Sequence, residues 1–138
     1  LVNDWLDLLQ AQAVDFTLGW RRLADAAAGD EAALQALFAQ PEPLQAWLVR
    51  WRERCARDAD LAPAARAERM RRANPWIIPR NHRVEEALEA ASQQEDLVPF
   101  ESLLAALRNP FEEIPANARF AEPAPAAVTA CYQTFCGT

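Results

Sequence analysis

Apolar residues recur at helical spacing through the first two-thirds of the chain, and no two-residue alternation runs long enough to form a sheet. Trp5, Leu9, Phe16, Trp20 and Leu23 fall on one stripe of a period of about 3.6 residues, which predicts helix here with Asn3 or Asp4 as the cap. Gly29 stops that stretch, and Asp30 is placed to cap a short helix over 31–38. Pro41 and Pro43 mark the next boundary. Leu44, Trp47, Leu48, Trp51 and Cys55 then make a second stripe, opposite a charged face of Arg50, Arg52, Glu53 and Arg57. Pro63 suits the first turn of a third helix. Asn74-Pro75 ends it, because the residue before a proline is pushed out of helical backbone. Trp76-Ile77-Ile78 reads as a short extended connector bounded by Pro79. Asn81 is a candidate cap for a helix that buries Val84, Ala87, Leu88 and Ala91. Asp96 caps one more helix, with Phe100, Leu103, Leu104 and Leu107 inward, and Asn109-Pro110 ends it. Beyond that point Pro110, Pro115, Pro123 and Pro125 oppose continuous helix. The pattern predicts an all-α fold, an irregular bundle of about five or six helices over 1–109 followed by an extended, proline-containing tail over 110–138.

Composition narrows the class. Apolar residues make up 51% of the 138 and charged residues 25%, a globular balance able to bury one core of moderate size. No run of about 18 apolar residues exists, so no membrane span is expected. The net charge of −6 is uneven: residues 63–83 carry six arginines against Glu68 alone, whereas residues 84–138 carry two arginines against nine acids. Nonspecific nucleic-acid binding wants a basic surface and is not expected. The chain begins with Leu1 and its only methionine is Met70, so it is expected to be part of a longer protein. Cys55, Cys131 and Cys136 form no Cys-x-x-Cys pair and, with one histidine, make no zinc set. A sparse, odd cysteine count suits a reducing cytoplasm.

Catalytic chemistry is not legible in these residues. A kinase-type phosphate site needs clustered glycines and a lysine on the phosphates. Here Gly19, Gly29 and Gly137 are scattered and lysine is absent. Asp15-Phe16-Thr17 echoes the metal-binding Asp-Phe-Gly motif but lacks the glycine and lies in a helical pattern. His82-Arg83-Val84 lacks the aspartate of a catalytic loop. No catalytic, cofactor-binding or metal-ligating residue is assigned within the chain.

Two segments carry a sharper signal. The first is residues 74–91, which contain Asn74-Pro75, Ile78-Pro79-Arg80-Asn81-His82-Arg83 and Glu85-Glu86-Ala87-Leu88; the second is the ending Tyr132, Thr134, Phe135, Cys136, Gly137, Thr138. Together they resemble the C-terminal region of the SelO (YdiU) family of protein adenylyltransferases, which have a kinase-like fold. Asp15-Phe16-Thr17 followed by Trp20 and Arg21 also matches that family's pattern, as does Phe100, Leu103, Leu104, Leu107, Pro110, Phe111, although a tyrosine is common where Phe111 stands. The resemblance implies that the complete protein transfers AMP from ATP to protein hydroxyls, using a magnesium ion and a nucleotide held in reversed orientation. It implies that ATP and magnesium are bound by a kinase-like domain upstream of this chain, and that the helices here are an all-α addition in a bacterial cytoplasmic protein. It makes Asn74, Pro75, Pro79, Arg80, Asn81, His82 and Arg83 structural motif residues. It makes Cys136 a redox candidate, able to form a disulfide with a cysteine of the catalytic domain.

Each candidate also has a plainer reading. Cys136 reads from spacing alone as an exposed thiol, and Cys131 could bridge to it locally. Cys55, beside Trp51 on an apolar stripe, reads as packing. The arginines Arg66, Arg69, Arg71, Arg72, Arg80 and Arg83 could hold a phosphate, or pair with Glu68, Glu85, Glu86 and the upstream domain. His82 reads as a hydrogen-bonding structural residue, and the five tryptophans as core. The expected partners are the protein's own upstream kinase-like domain and its protein substrates, with neither nucleic acid nor membrane. An independent helical module that binds a protein partner without catalysis is the alternative. On either reading an exposed tryptophan patch is expected.

Overall fold

Several helix starts in this molecule fall where a side chain satisfies a free backbone donor, as at Asp15, or a proline removes one, as at Pro41 and Pro63. The computed structural model describes residues 1–58, 61–125 and 128. Those residues form eight α-helices and one 3₁₀ turn, with no strand among them. The all-α class read from the sequence holds.

The first helical stripe is two helices. Helix α1 (Val2–Ala11) ends where Ala13 adopts left-handed backbone, φ 52°, and the Val14 N–H donates to the Leu9 carbonyl at 2.9 Å. Asp15 then accepts from the Leu18 N–H at 2.9 Å and caps α2 (Phe16–Ala27). This break resets the helical phase, so Phe16, expected to face inward, is 60% exposed. Neither Asn3 nor Asp4 caps α1, which starts at Val2; Asp4 instead pairs with Arg50 at 2.7 Å. Gly29, at φ +100°, turns the chain. Asp30 accepts from the Ala32 N–H at 3.1 Å, opening α3 (Ala32–Gln35), shorter than the expected 31–38. Helices α4 (Pro41–Ala56) and α5 (Pro63–Ala73) both begin on prolines in their first turn, as expected.

Contacts divide the chain into two compact units, Leu1–Trp76 and the residues from Ile77 onward, a boundary other than the one anticipated near residue 109. The first unit is built on tryptophan. Trp5 is fully buried, with its ring 4.5 Å from Trp47 and 5.9 Å from both Trp20 and Phe38. Leu9, Leu23, Leu34, Leu44 and Leu48 complete the core around it. Such aromatic contacts add roughly 0.5–1.5 kcal/mol each beyond area burial. The Trp47 indole N–H donates to the Leu1 carbonyl at 3.0 Å. Gln12 and the Gln40 backbone exchange two hydrogen bonds, at 3.0 and 2.8 Å, which tie the end of α1 to the start of α4. Thus the tryptophans are core, and the expected exposed tryptophan patch does not form.

The second unit is built on small residues. Helices α6 (Asn81–Gln93) and α7 (Val98–Leu107) pack together. Each buries an i, i+3 pair, Ala87 with Ala90 and Leu103 with Ala106. Asn81 is the first residue of α6 and not its cap, and no side chain caps this end. Between the helices Glu95 takes left-handed backbone, φ 53°, while Asp96 accepts from the Val98 N–H at 2.9 Å as expected. The Ile77 N–H donates to the Pro110 carbonyl at 3.1 Å. Part of the expected extended tail is helical: a 3₁₀ turn at Pro115–Asn117 leads into α8 (Ala118–Ala121), which buries Phe120 and Ala121.

Among the described residues the Trp5 indole N–H has no acceptor. Trp5→Phe should therefore lose only volume, about 1–2 kcal/mol, whereas Trp5→Ala should lose about 3–5 kcal/mol in urea unfolding. Glu95→Gly should raise stability by about 0.5–1 kcal/mol, because glycine meets no steric cost at positive φ.

Candidate functional site

The motif residues 74–76 belong to the first unit, where a charged joint between α2 and α5 holds them. Arg21 lies on α2 within an otherwise apolar face and is only 3% exposed. Its Nη1 donates to the carbonyls of Arg71 and Asn74, both at 3.1 Å. These are carbonyls at the C-terminal end of α5, which a helix leaves without intrahelical partners. A cation there also opposes the negative end of the helix dipole. Asn74 closes the same turn, its side-chain amide donating to the Met70 carbonyl at 2.8 Å, and leaves α5 in extended backbone as a residue before proline must. One turn beyond Arg21, Asp25 accepts from Arg22 at 2.8 Å and from Arg71 at 2.7 Å. Burial pushes the Asp25 carboxyl up, but the hydrogen bonds from Arg71 and Arg22 together outweigh it and hold the group below the usual carboxylate range.

Residues 77–83 belong to the second unit, where Arg83 joins α6 to α8. Its guanidinium makes a two-pronged pair with Glu86 at 3.0 and 2.9 Å, donates to the Arg119 carbonyl at 3.2 Å, and lies 3.7 Å from Glu122. Arg119 reaches Glu86 at 3.8 Å and sits over the Phe120 ring at 4.9 Å from its centre. Arg80 is buried. His82 is half-buried and makes no side-chain hydrogen bond among the described residues. Its burial and the Arg83 charge lower its affinity for a proton below the ordinary histidine value.

The basic block is divided between the two units, with Arg66, Arg69, Arg71 and Arg72 in the first and Arg80 and Arg83 in the second. Arg66 donates to the carbonyl of Cys55 in the last turn of α4 and to that of Asp58 just beyond it, at 2.8 and 3.3 Å. Arg71 pairs with Asp25, Arg72 with Glu68 at 3.1 Å, and Arg83 with Glu86. Of the expected carboxylate pairs, Arg72–Glu68 and Arg83–Glu86 form, whereas Arg66 bonds backbone carbonyls and Arg71 pairs with Asp25. Asp15-Phe16-Thr17 is a helix cap and first turn. Among the described residues no group of three or more His, Cys, Asp or Glu is arranged to hold a metal ion. Among the described residues no helix is long and apolar enough to cross a membrane. Cys55 is half-buried with a free thiol. Cys131, Tyr132, Thr134, Phe135, Cys136, Gly137 and Thr138 lie outside the described residues.

The second unit also carries an apolar groove, a feature that the alternative reading as a partner-binding module calls for. Val84 and Leu88 on α6, with Phe100, Leu103, Leu104 and Leu107 on α7, line a cavity of about 150 Å³. Leu88, Phe100 and Leu104, expected to be core, are 56%, 44% and 39% exposed. The alanine pair on α6 makes the close contact, which leaves the larger side chains on the rim.

A family model described as protein adenylyltransferase SelO matches residues 1–108. The chain belongs to the SelO family. Among SelO relatives, the protein nucleotidyltransferase YdiU of Chromobacterium violaceum is 49% identical over 142 residues, covering all of this chain and 29% of its own length. The YdiU protein of Cereibacter sphaeroides is 51% identical over 138 residues, covering all of this chain and 27% of its own length. That of Rhizobium leguminosarum bv. trifolii is 49% identical over 140 residues, with 28% of its length covered. The chain thus spans less than a third of these curated SelO relatives and matches their C-terminal part. The buried Arg21 and its neighbour Asp25 were not singled out as site residues from the sequence; the available signal was an i, i+4 Arg–Asp pair inside an apolar stripe.

The depressed Asp25 carboxyl gives stability that is complete above the unfolded aspartate pKa of about 3.9 and is lost as pH falls through the lower folded value. Urea titrations from neutral pH into acid should show that loss in the unsubstituted chain, and Asp25→Asn should flatten it while costing about 1–3 kcal/mol at neutral pH.

Proposed function

We propose that this chain is the C-terminal helical region of a SelO-type protein adenylyltransferase, which transfers AMP from ATP to Ser, Thr or Tyr hydroxyls of proteins. The observation that carries this reading is the alignment of the whole chain with the C-terminal 27–29% of proteins named nucleotidyltransferases. In the reaction a protein hydroxyl oxygen displaces pyrophosphate from the α-phosphorus of ATP. ATP and magnesium are bound by the upstream kinase-like domain. The helices brace that domain, and alone they are inactive. The division of labour is supported by the engagement of Arg71, Arg72 and Arg83 with carboxylates and of Arg66 with backbone carbonyls. Asn74, Pro75, Pro79, Arg80, Asn81, His82 and Arg83 act structurally, setting the end of α5 and the start of α6. Cys136 supplies a thiol that a two-electron oxidant can couple to a cysteine of the catalytic domain, slowing transfer. The partners are that domain and the substrate proteins, in the bacterial cytoplasm.

The test uses labelled ATP and the full-length protein. Full-length protein should label protein substrates, the 138-residue chain alone should neither label them nor bind ATP by calorimetry, and Cys136→Ser should abolish any difference between reduced and oxidised preparations. Micromolar ATP binding by the chain alone would overturn the assignment of nucleotide handling to the upstream domain.

A further inference from the structure

The α6–α7 groove lies wholly within residues 84–107, inside the stretch that matches the family model. Every lining side chain is apolar, and Leu88, Phe100 and Leu104 remain open to solvent. Exposed apolar side chains gathered around a depression are a docking feature when something of complementary shape exists to cover them. The exposed acids Glu85 and Glu89 directly follow the groove residues Val84 and Leu88 on α6, and exposed Glu101 follows Phe100 on α7, in the stretch 84–138 that carries nine acids against two arginines. A fitting occupant therefore has an apolar ridge flanked by basic side chains. More than two-thirds of the length of the curated relatives lies outside the part that this chain matches, and in those relatives that portion is covalently joined to it. A tethered occupant binds at a high effective concentration, so a shallow groove suffices.

We infer that the α6–α7 groove is the seat of an amphipathic helix from the upstream part of the same polypeptide, with a basic-flanked apolar ridge entering between Leu88, Phe100 and Leu104. This rests on the reading of the chain as the C-terminal region of a longer SelO-type protein.

Hydroxyl-radical footprinting tests it by comparing the 138-residue chain with the full-length protein. Leu88, Phe100 and Leu104 should be oxidised several-fold more slowly in the full-length protein. Leu88→Glu should restore fast oxidation of Phe100 and Leu104 there, while leaving the helical circular dichroism of the 138-residue chain unchanged. Equal oxidation in the two proteins would overturn the inference. So would protection in the 138-residue chain that grows with its own concentration, since that identifies a second copy as the occupant. The AMP-transfer assay on the unsubstituted full-length protein separates the two readings. Transfer without groove protection sinks only the docking, and groove protection without transfer sinks only the enzymatic assignment.

Discussion

A guanidinium placed deep in a small helical unit is costly unless nearly every donor finds an acceptor. Arg21 meets that condition by using what a neighbouring helix end leaves over. The last carbonyls of α5 need donors, the buried arginine needs acceptors, and each need answers the other. Much else depends on this exchange. It fixes where α5 stops, and so where Asn74-Pro75 leaves the helix. It also brings Arg71 to Asp25, so that the second carboxylate–arginine contact forms on the same pair of helices. Arginine suits the role better than lysine, because one planar group can spread several fixed donors over two carbonyls.

The two units solve the burial problem in opposite ways. The first fills its centre with indoles, so a few large side chains do most of the burying and α1, α2 and α4 all converge on Trp5. The second relies on alanines, so its helices approach closely but leave leucine and phenylalanine on the rim. A core of that second kind contributes less burial per residue. It depends more on polar fastening, which the branched Arg83 network between α6 and α8 supplies.

Local signals in the sequence were reliable where a single residue decides the backbone. Pro41, Pro63 and Pro75 mark helix limits because of ring geometry, and Asp30 and Asp96 accept from nearby N–H groups as short polar side chains do. Failures came where one regular pattern masked another. The stripe from Trp5 to Leu23 ran across the Asp15 cap because the sequence spacing of its apolar residues fits one continuous helix, although the chain breaks there. Pro115 was read as opposing helix, yet proline in a first turn can open one, and here it starts the 3₁₀ turn before α8. The inward face of α7 was misjudged because periodicity shows that a helix has an apolar side but not which part of it a neighbour covers. Arg21 escaped notice for a related reason: its acceptors are fifty or more residues away along the chain, beyond the reach of any spacing rule.

The reciprocal bonds between Gln12 and Gln40 are made by uncharged groups. Neither acid nor salt alters an amide, so this clip holds under conditions that dissolve carboxylate contacts. The first unit therefore contains two fasteners with different chemical sensitivities. As protons accumulate, the Asp25 contacts between α2 and α5 and the Asp4–Arg50 pair between α1 and α4 are both lost, while the Gln12–Gln40 clip persists.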